Sequence, residues 1–403
     1  MTIHAVLRNS QHPEFGDAAI PFPIPNEEYD NCIELLKGLE IGDAVQRDCE
    51  VVEIQSDYPI LNRLELAKVN LDELDYLAKR LDSFTRQEKA QFQGMAAKLD
   101  ISDMTELINL TFCCQEATVI TDFSDLEAVG RSHYFNLHGG CAAPEDLKNL
   151  DGYETALLLI EGGDGTVTPY GVVYDNGMKL RRLYDGRHLP EFFYGGCAAS
   201  VRLTAKGCPD QRETLYLPCA KSRIARTARR LGVEGPEQCE AVLDTTQISD
   251  AVRGVFEHEY PLNEHLDSLN ALLRCFQDFD GQDIENFHTV FDTVWPQTPE
   301  ESLSLAENLH EFIVVANIST AEEYGRYLLR ESGHFDADPK LEECIDYQSY
   351  GERRIREEGG LFGDRGYVAY LGTKQEINEI VSHNIPAERV EQGSQMGGIS
   401  WSL

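Results

Sequence analysis

The chain has 403 residues, 42% of them hydrophobic, so it can bury several cores and divides naturally into two or more domains. Thirty-five Lys and Arg stand against seventy Asp and Glu, a formal net charge of −35; this argues against nucleic acid or an anionic membrane as a direct partner and points to a basic protein surface. No run approaches the roughly 18 apolar residues that span a bilayer, Met1–Ser10 lacks a signal-peptide pattern, and eleven scattered cysteines without a CxxC motif fit reduced thiols, so a cytoplasmic protein is expected.

In chain order, Ile3–Leu7 reads as extended, and Ile20–Pro25, with prolines at alternating positions, as an edge or irregular strand. Asn26 is placed to cap a helix over Glu27–Lys37 that stops at Gly38, and Val51–Ile54 suggests a closing strand. Asn70 with Glu73 forms a capping box ahead of the apolar stripe Leu71, Leu74, Leu77, Ala78 and Leu81. Gln87–Leu99 predicts a second helix, and Ser102–Leu110 a third. Strand character returns at Ala117–Thr121, Ser124 is placed to cap a helix ending near Gly130, and Val167–Tyr174 with Met178–Leu183 reads as a hairpin around Asn176-Gly177.

Much of this pattern recurs 195 residues later. Asn70–Arg131 aligns without a gap on His265–Arg326, with roughly a quarter of positions identical, among them Leu71/Leu266, Asp72/Asp267, Phe92/Phe287 and Gly130-Arg131/Gly325-Arg326. The second set predicts helices over Leu266–Phe276, Ile284–Val294 and Thr298–Asn308, a strand over Phe312–Ala316, a helix capped by Ser319, a strand over Gly366–Leu371 and a helical tail from Thr373. The expected organisation is α+β, an elongated array of small modules in two tandem copies that stand in for a symmetric dimer. The modules are residues 1–61 (α+β), 62–115 (helical) and 116–175 (α+β), then 176–256 (a linker hairpin and an α+β module), 257–310 (helical), 311–375 (α+β) and a tail, 376–403, whose end looks frayed. Residues 1–170 and 197–375 are expected to superpose module by module.

Catalytic and metal signatures are weak. His138-Gly139-Gly140-Cys141 has the glycine content of an oxyanion loop but no nucleophile elbow follows it, and Asp278–Asp283 has the acid density of a calcium loop but the wrong glycine position and no bidentate Glu. No cofactor or metal is expected, and the chain reads as a non-enzyme. Net charge is about −20 over residues 1–175 and about −23 over 231–403, but about +8 between them. The basic run Lys221–Arg230 sets Arg223, Arg226 and Arg230 on one helical face and Ile224, Ala228 and Leu231 on another. It reads as a solvated face or one docked on the chain's own acid, in preference to a nucleic-acid contact.

What remains is displayed carboxylate. The candidate partner-binding clusters are Glu27, Glu28 and Asp30; Asp122, Asp125 and Glu127; Glu300 and Glu301; Glu322 and Glu323; Asp336 and Asp338; and Glu342 and Glu343 with Asp346. A protein that spaces Asp and Glu along its surface can occupy the basic channel that duplex DNA would fill.

The stretch Asn317-Ile318-Ser319-Thr320-Ala321-Glu322-Glu323-Tyr324-Gly325-Arg326-Tyr327-Leu328, with Glu331-Ser332-Gly333, Ile345-Asp346-Tyr347, Tyr350-Gly351 and Gly366-Tyr367-Val368, resembles the C-terminal part of the ArdA antirestriction family. The first copy is similar in layout, with Ala128-Val129-Gly130-Arg131 where the second has Glu-Tyr-Gly-Arg. The resemblance implies an acidic DNA mimic, of the kind carried by mobile elements, that blocks a type I restriction–modification enzyme stoichiometrically through its DNA-binding subunits. It also implies a three-part subunit, here fused so that a monomer acts as a pseudo-dimer or dimerises further. Other readings stay open: an inhibitor of another defence nuclease such as a CRISPR effector, a hydrolase using His138 and Cys141, or an acidic scaffold.

Overall fold

The structure, a computed structural model, describes residues 3–246, 248–257, 260–333 and 344–383. The chain is of the mixed α+β class, its strands gathered into small separate sheets. Two compact units divide it. The first holds Met1–Gly196, Arg202–Leu215 and Cys219–Glu240, and the second Cys197–Val201, Tyr216–Pro218 and Ala241–Leu403.

The first unit opens with β1 (Ile3–Arg8), β2 (Asp17–Phe22), α1 (Asn26–Gly38), β3 (Cys49–Gln55) and β4 (Lys68–Val69), in an antiparallel sheet of order β2-β1-β3-β4. Ile3, Ala5 and Leu7 alternate inward along β1, the period-two pattern of a half-buried strand. Pro21 sits on the edge strand β2, where a missing N–H costs no ladder bond. Asn26 is not the cap expected of it. Pro25, in extended geometry at φ −56° and ψ 144°, takes the cap position without a side-chain acceptor, and Asn26 falls inside the first turn.

Next come α2 (Leu71–Asp82), α3 (Arg86–Lys98) and α4 (Met104–Leu110). The expected Asn70/Glu73 capping box is formed, and Thr85/Glu88 makes a second. β5 (Thr118–Ile120), α5 (Leu126–Leu137), α6 (Pro144–Asn149), α7 (Gly152–Gly162), β6 (Thr166–Thr168) and β7 (Gly171–Tyr174) follow, with sheet order β5-β7-β6. Three expectations need correction. Asp125, not Ser124, caps α5, its carboxylate accepting the Ala128 N–H at 2.9 Å. The helix runs through Gly130 because that glycine is where α7 crosses: a Cβ there would lie 1.8 Å from the Gly152 carbonyl oxygen. The hairpin is β6–β7, and Met178–Leu183 is not a strand. Asn176 and Gly177 do adopt positive φ, but Asn176 Nδ2 donates to the Glu116 carbonyl and Thr118 Oγ1, and Met178 and Leu180 turn onto the main core.

β8 (Ala199–Ala205), β9 (Arg212–Leu217), α8 (Lys221–Arg230) and β10 (Cys239–Thr246) follow, the strands in order β10-β8-β9 with the dividing line between the units running through them. The second unit continues with α9 (Asp250–Glu257), α10 (Leu266–Asp278), α11 (Gly281–Val294), α12 (Pro299–Glu307), β11 (Phe312–Ala316), α13 (Ala321–Arg326), α14 (Tyr347–Glu358), β12 (Leu361–Gly363), β13 (Gly366–Tyr370) and α15 (Gln375–His383). Thr320 rather than Ser319 caps α13; the Ser319 N–H and hydroxyl instead bind the Glu323 carboxylate.

α2, α3, α4, α5, α7, β6 and β7 each begin 195 residues before α10, α11, α12, α13, α14, β12 and β13. The sheet orders β5-β7-β6 and β11-β13-β12 correspond, and a Cβ on Gly325 would meet the Tyr347 carbonyl at 2.1 Å, as one on Gly130 meets Gly152.

Candidate interaction surface

The basic run Lys221–Arg230 forms the helix α8. Its Arg223, Arg226 and Arg230 turn inward, onto Asp72 and Asp75 of α2 and Glu213 of β9, all within the first unit. Asp72 accepts from Arg226 Nε at 3.0 Å, Arg230 Nη1 at 2.7 Å and the Tyr29 hydroxyl. Arg230 forks onto Glu213 with contacts of 2.7–2.9 Å. Asp75 accepts from Arg223 Nη2 at 2.7 Å, Lys79 Nζ at 2.9 Å and the Ile24 N–H at 2.8 Å, and the Arg223 guanidinium lies 3.7 Å from the Tyr29 ring centre.

Both ends of α8 are held by side chains from elsewhere in the unit. Asp30 accepts the Lys221 and Ser222 N–H groups at 3.1 and 3.0 Å, and Arg187 donates to the Arg229 and Arg230 carbonyls. These are the favourable signs for a helix dipole. The basic run is therefore docked on the chain's own acid; only Lys221, Ala225 and Arg229 of α8 are exposed.

Asp72, Asp75, Glu213, Arg226 and Arg230 are each at least nine-tenths buried, so the electrostatics are those of a desolvated cluster. Burial opposes ionisation of Asp72 and Asp75, but the arginines, with Lys79 at Asp75, overcome it and hold both carboxyls below the ordinary range. Burial pushes Glu213 up against the pull of Arg230. Nearby, Arg47 forks onto Glu73 at 2.6 and 2.8 Å, and the Tyr184 hydroxyl donates to the same carboxylate at 2.7 Å.

Most of the predicted carboxylate clusters are exposed, and most sit at helix starts. Glu27 and Glu28 are exposed in the first turn of α1, while Asp30 is half-buried and committed to the α8 terminus, so it is not part of a free display. Asp122 accepts the Ser124 N–H, Asp125 caps α5, and Glu127 accepts from Arg131 and from the Tyr153 N–H. Glu300 takes His265 and Ser268, and Glu301 accepts the Gln297 N–H. Glu322 pairs with Arg326, Glu323 closes the Thr320 capping box, and Asp346 caps α14. Hydrogen bonds to their charged forms hold Asp122, Glu323 and Asp346 below the usual carboxylate range. Asp336, Asp338, Glu342 and Glu343 lie outside the described residues.

His138 and Cys141 are both exposed; the His138 Nδ1–H donates to the Tyr134 carbonyl at 2.8 Å and its ring stacks on Tyr134. The acid-rich Asp278–Asp283 segment is a helix start, with Asp280 and Asp283 forming a capping box for α11. Among the described residues no group of His, Cys, Asp and Glu could hold a metal ion, and no helix is long and apolar enough to cross a membrane. Comparison of the chain with protein-family models and with curated proteins finds no match.

Proposed function

We propose that this chain is an antirestriction protein of the ArdA type, a non-catalytic acidic DNA mimic. It occupies the basic DNA channel of a type I restriction–modification enzyme and acts in the cytoplasm. The observation that carries the reading is the fate of the basic helix: Arg223, Arg226 and Arg230 are spent inside the first unit. The basic run of α8 is thus largely withdrawn from the surface, while Lys179, Arg181 and Arg182 stay exposed before it. The carboxylates at Asp122, Asp125, Glu127, Glu300, Glu322, Glu323 and Asp346 stay exposed, in both units. The matched element starts and sheet orders support a tandem duplication acting as a pseudo-dimer.

The mechanism is competition. Exposed carboxylates steer the protein into a basic channel, releasing the ions held there and raising the encounter rate. The test is binding of the chain to a type I enzyme from low to high salt, with and without duplex DNA. Affinity falling steeply with salt and lost to added DNA is the expected result. Salt-insensitive binding, or a ternary complex with DNA, overturns mimicry.

A further inference from the structure

The helix α7 exposes apolar residues that its own module does not need. Gly152, Ala156 and Leu159 face inward, while Tyr153 and Leu158 are 54% and 66% exposed and Leu157 is half-buried. The corresponding helix α14 makes the same crossing with its neighbour, Gly351 close against the Ala321 backbone and Tyr347 against Gly325. Yet 195 residues on from Tyr153, Leu157 and Leu158 it carries Gln348, Glu352 and Arg353, with Arg353 paired to Glu357 at 2.9 Å. Packing of this helix pair therefore does not call for apolar residues there.

The surroundings select the partner. Glu154, Leu158 and Glu161 follow at i, i+4 and i+7, so the exposed leucine lies between two exposed carboxylates on one helical line. At the start of the helix the Tyr153 N–H donates to Glu127 at 2.8 Å, which makes the patch continuous with the carboxylates of Asp125 and Glu127. A second copy of this chain would bring acid against that acid. A partner with an apolar or aromatic contact set in a basic rim fits both parts.

We propose that Tyr153 and Leu158, which flank Glu154 and Glu161 on the exposed side of α7, are apolar anchors for the basic DNA-site surface of the inhibited enzyme. This rests on the function proposed above and adds to it a salt-independent component that phosphate mimicry lacks. It also makes the two copies unequal in binding. The full-length double variant Tyr153→Ser/Leu158→Ser is compared with the parent for binding to the type I enzyme at low and high salt, with thermal melts as a folding control.

The expected result is an affinity about tenfold weaker at both salt concentrations, with an unchanged salt slope and an unchanged melting midpoint. Glu154→Gln/Glu161→Gln should instead flatten the slope. Parent-like affinity of the serine variant overturns the anchor while leaving the proposed function intact. So does loss of self-association in sedimentation with enzyme binding preserved, which would assign the face to a second copy. Failure of the parent itself to bind removes the function and the anchor together.

Discussion

Asp72→Asn tests whether the α2–α8 network holds the first unit together. The side chain keeps its shape but loses its charge, and three donors converge on it: Arg226 Nε at 3.0 Å, Arg230 Nη1 at 2.7 Å and the Tyr29 hydroxyl. With Asp72 neutral, Arg230 retains Glu213 but Arg226 keeps only the Gly42 and Asp43 carbonyls, a buried guanidinium without a carboxylate. Removing one partner of a buried ion pair costs about 3–5 kcal/mol, against roughly 5–15 kcal/mol for the whole stability of a domain. For a unit of about 150–250 residues, each kcal/mol moves the melting midpoint by about 2–4 °C, so a fall of roughly 6–20 °C is expected.

Near-UV circular dichroism melts read the midpoint, and hydrogen exchange in Leu71–Asp82 and Lys221–Arg230 locates the loss. Adding Arg226→Met should recover part of it, since the unpaired cation is then gone. A single variant melting within about 2 °C of the parent, with unchanged exchange in both helices, refutes the reasoning.

The same network sets an acid limb. Asp72 and Asp75 are held below their unfolded values, so their stabilisation is complete above about pH 4 and is given up as pH falls from there. Glu213, raised by burial, acts in the opposite sense and is relieved by protonation at a higher pH, so the parent should lose stability below about pH 4 more steeply than Asp72→Asn does. Gly130→Ala and Gly325→Ala should each destabilise by about 1–3 kcal/mol in melts, because both would drive a Cβ into a crossing backbone; tolerance of either weakens the matched-crossing reading. Neutralising Glu323 alone should barely change binding in the salt series, whereas neutralising the exposed clusters of both units together should abolish it. His138→Ala and Cys141→Ala should leave inhibition of DNA cleavage intact, and loss with normal folding would revive a hydrolase.

Local chemistry was legible in the sequence wherever one element carried it. The Asn70/Glu73 capping box, the stripe of α2, strand Phe312–Ala316 and the proline-rich edge strand follow from neighbours a few residues apart. The failures share a cause. At Ser124 and Ser319 the residue type was right for a cap, but an adjacent acceptor held the position, since several acceptors in a row compete and tertiary packing chooses, whereas at Asn26 the preceding Pro25 takes the cap position with no side-chain acceptor at all. At Asn176-Gly177 the turn formed but a long-range bond to Glu116 led the chain out of the sheet. The basic face of α8 could be drawn from helical spacing, while its partners could not: Asp72 and Asp75 lie about 150 residues earlier on a helix whose polar side looks like any solvated one.

The carboxylates proposed as DNA mimics pose a subtler problem, because many of the same atoms cap helices. Asp125, Glu323 and Asp346 each accept a backbone N–H at a helix start while remaining exposed. A cap needs an acceptor and gains only modestly from charge, whereas a mimic of phosphate needs the charge itself. The two demands are therefore separable by Asn and Gln, which keep an acceptor of nearly the same shape. Fixing a carboxylate at a helix terminus also removes rotamer freedom before any partner arrives, which lowers the ordering cost of binding. Under the function proposed above, capping and mimicry would therefore reinforce one another, with the same carboxylates serving the fold and the partner.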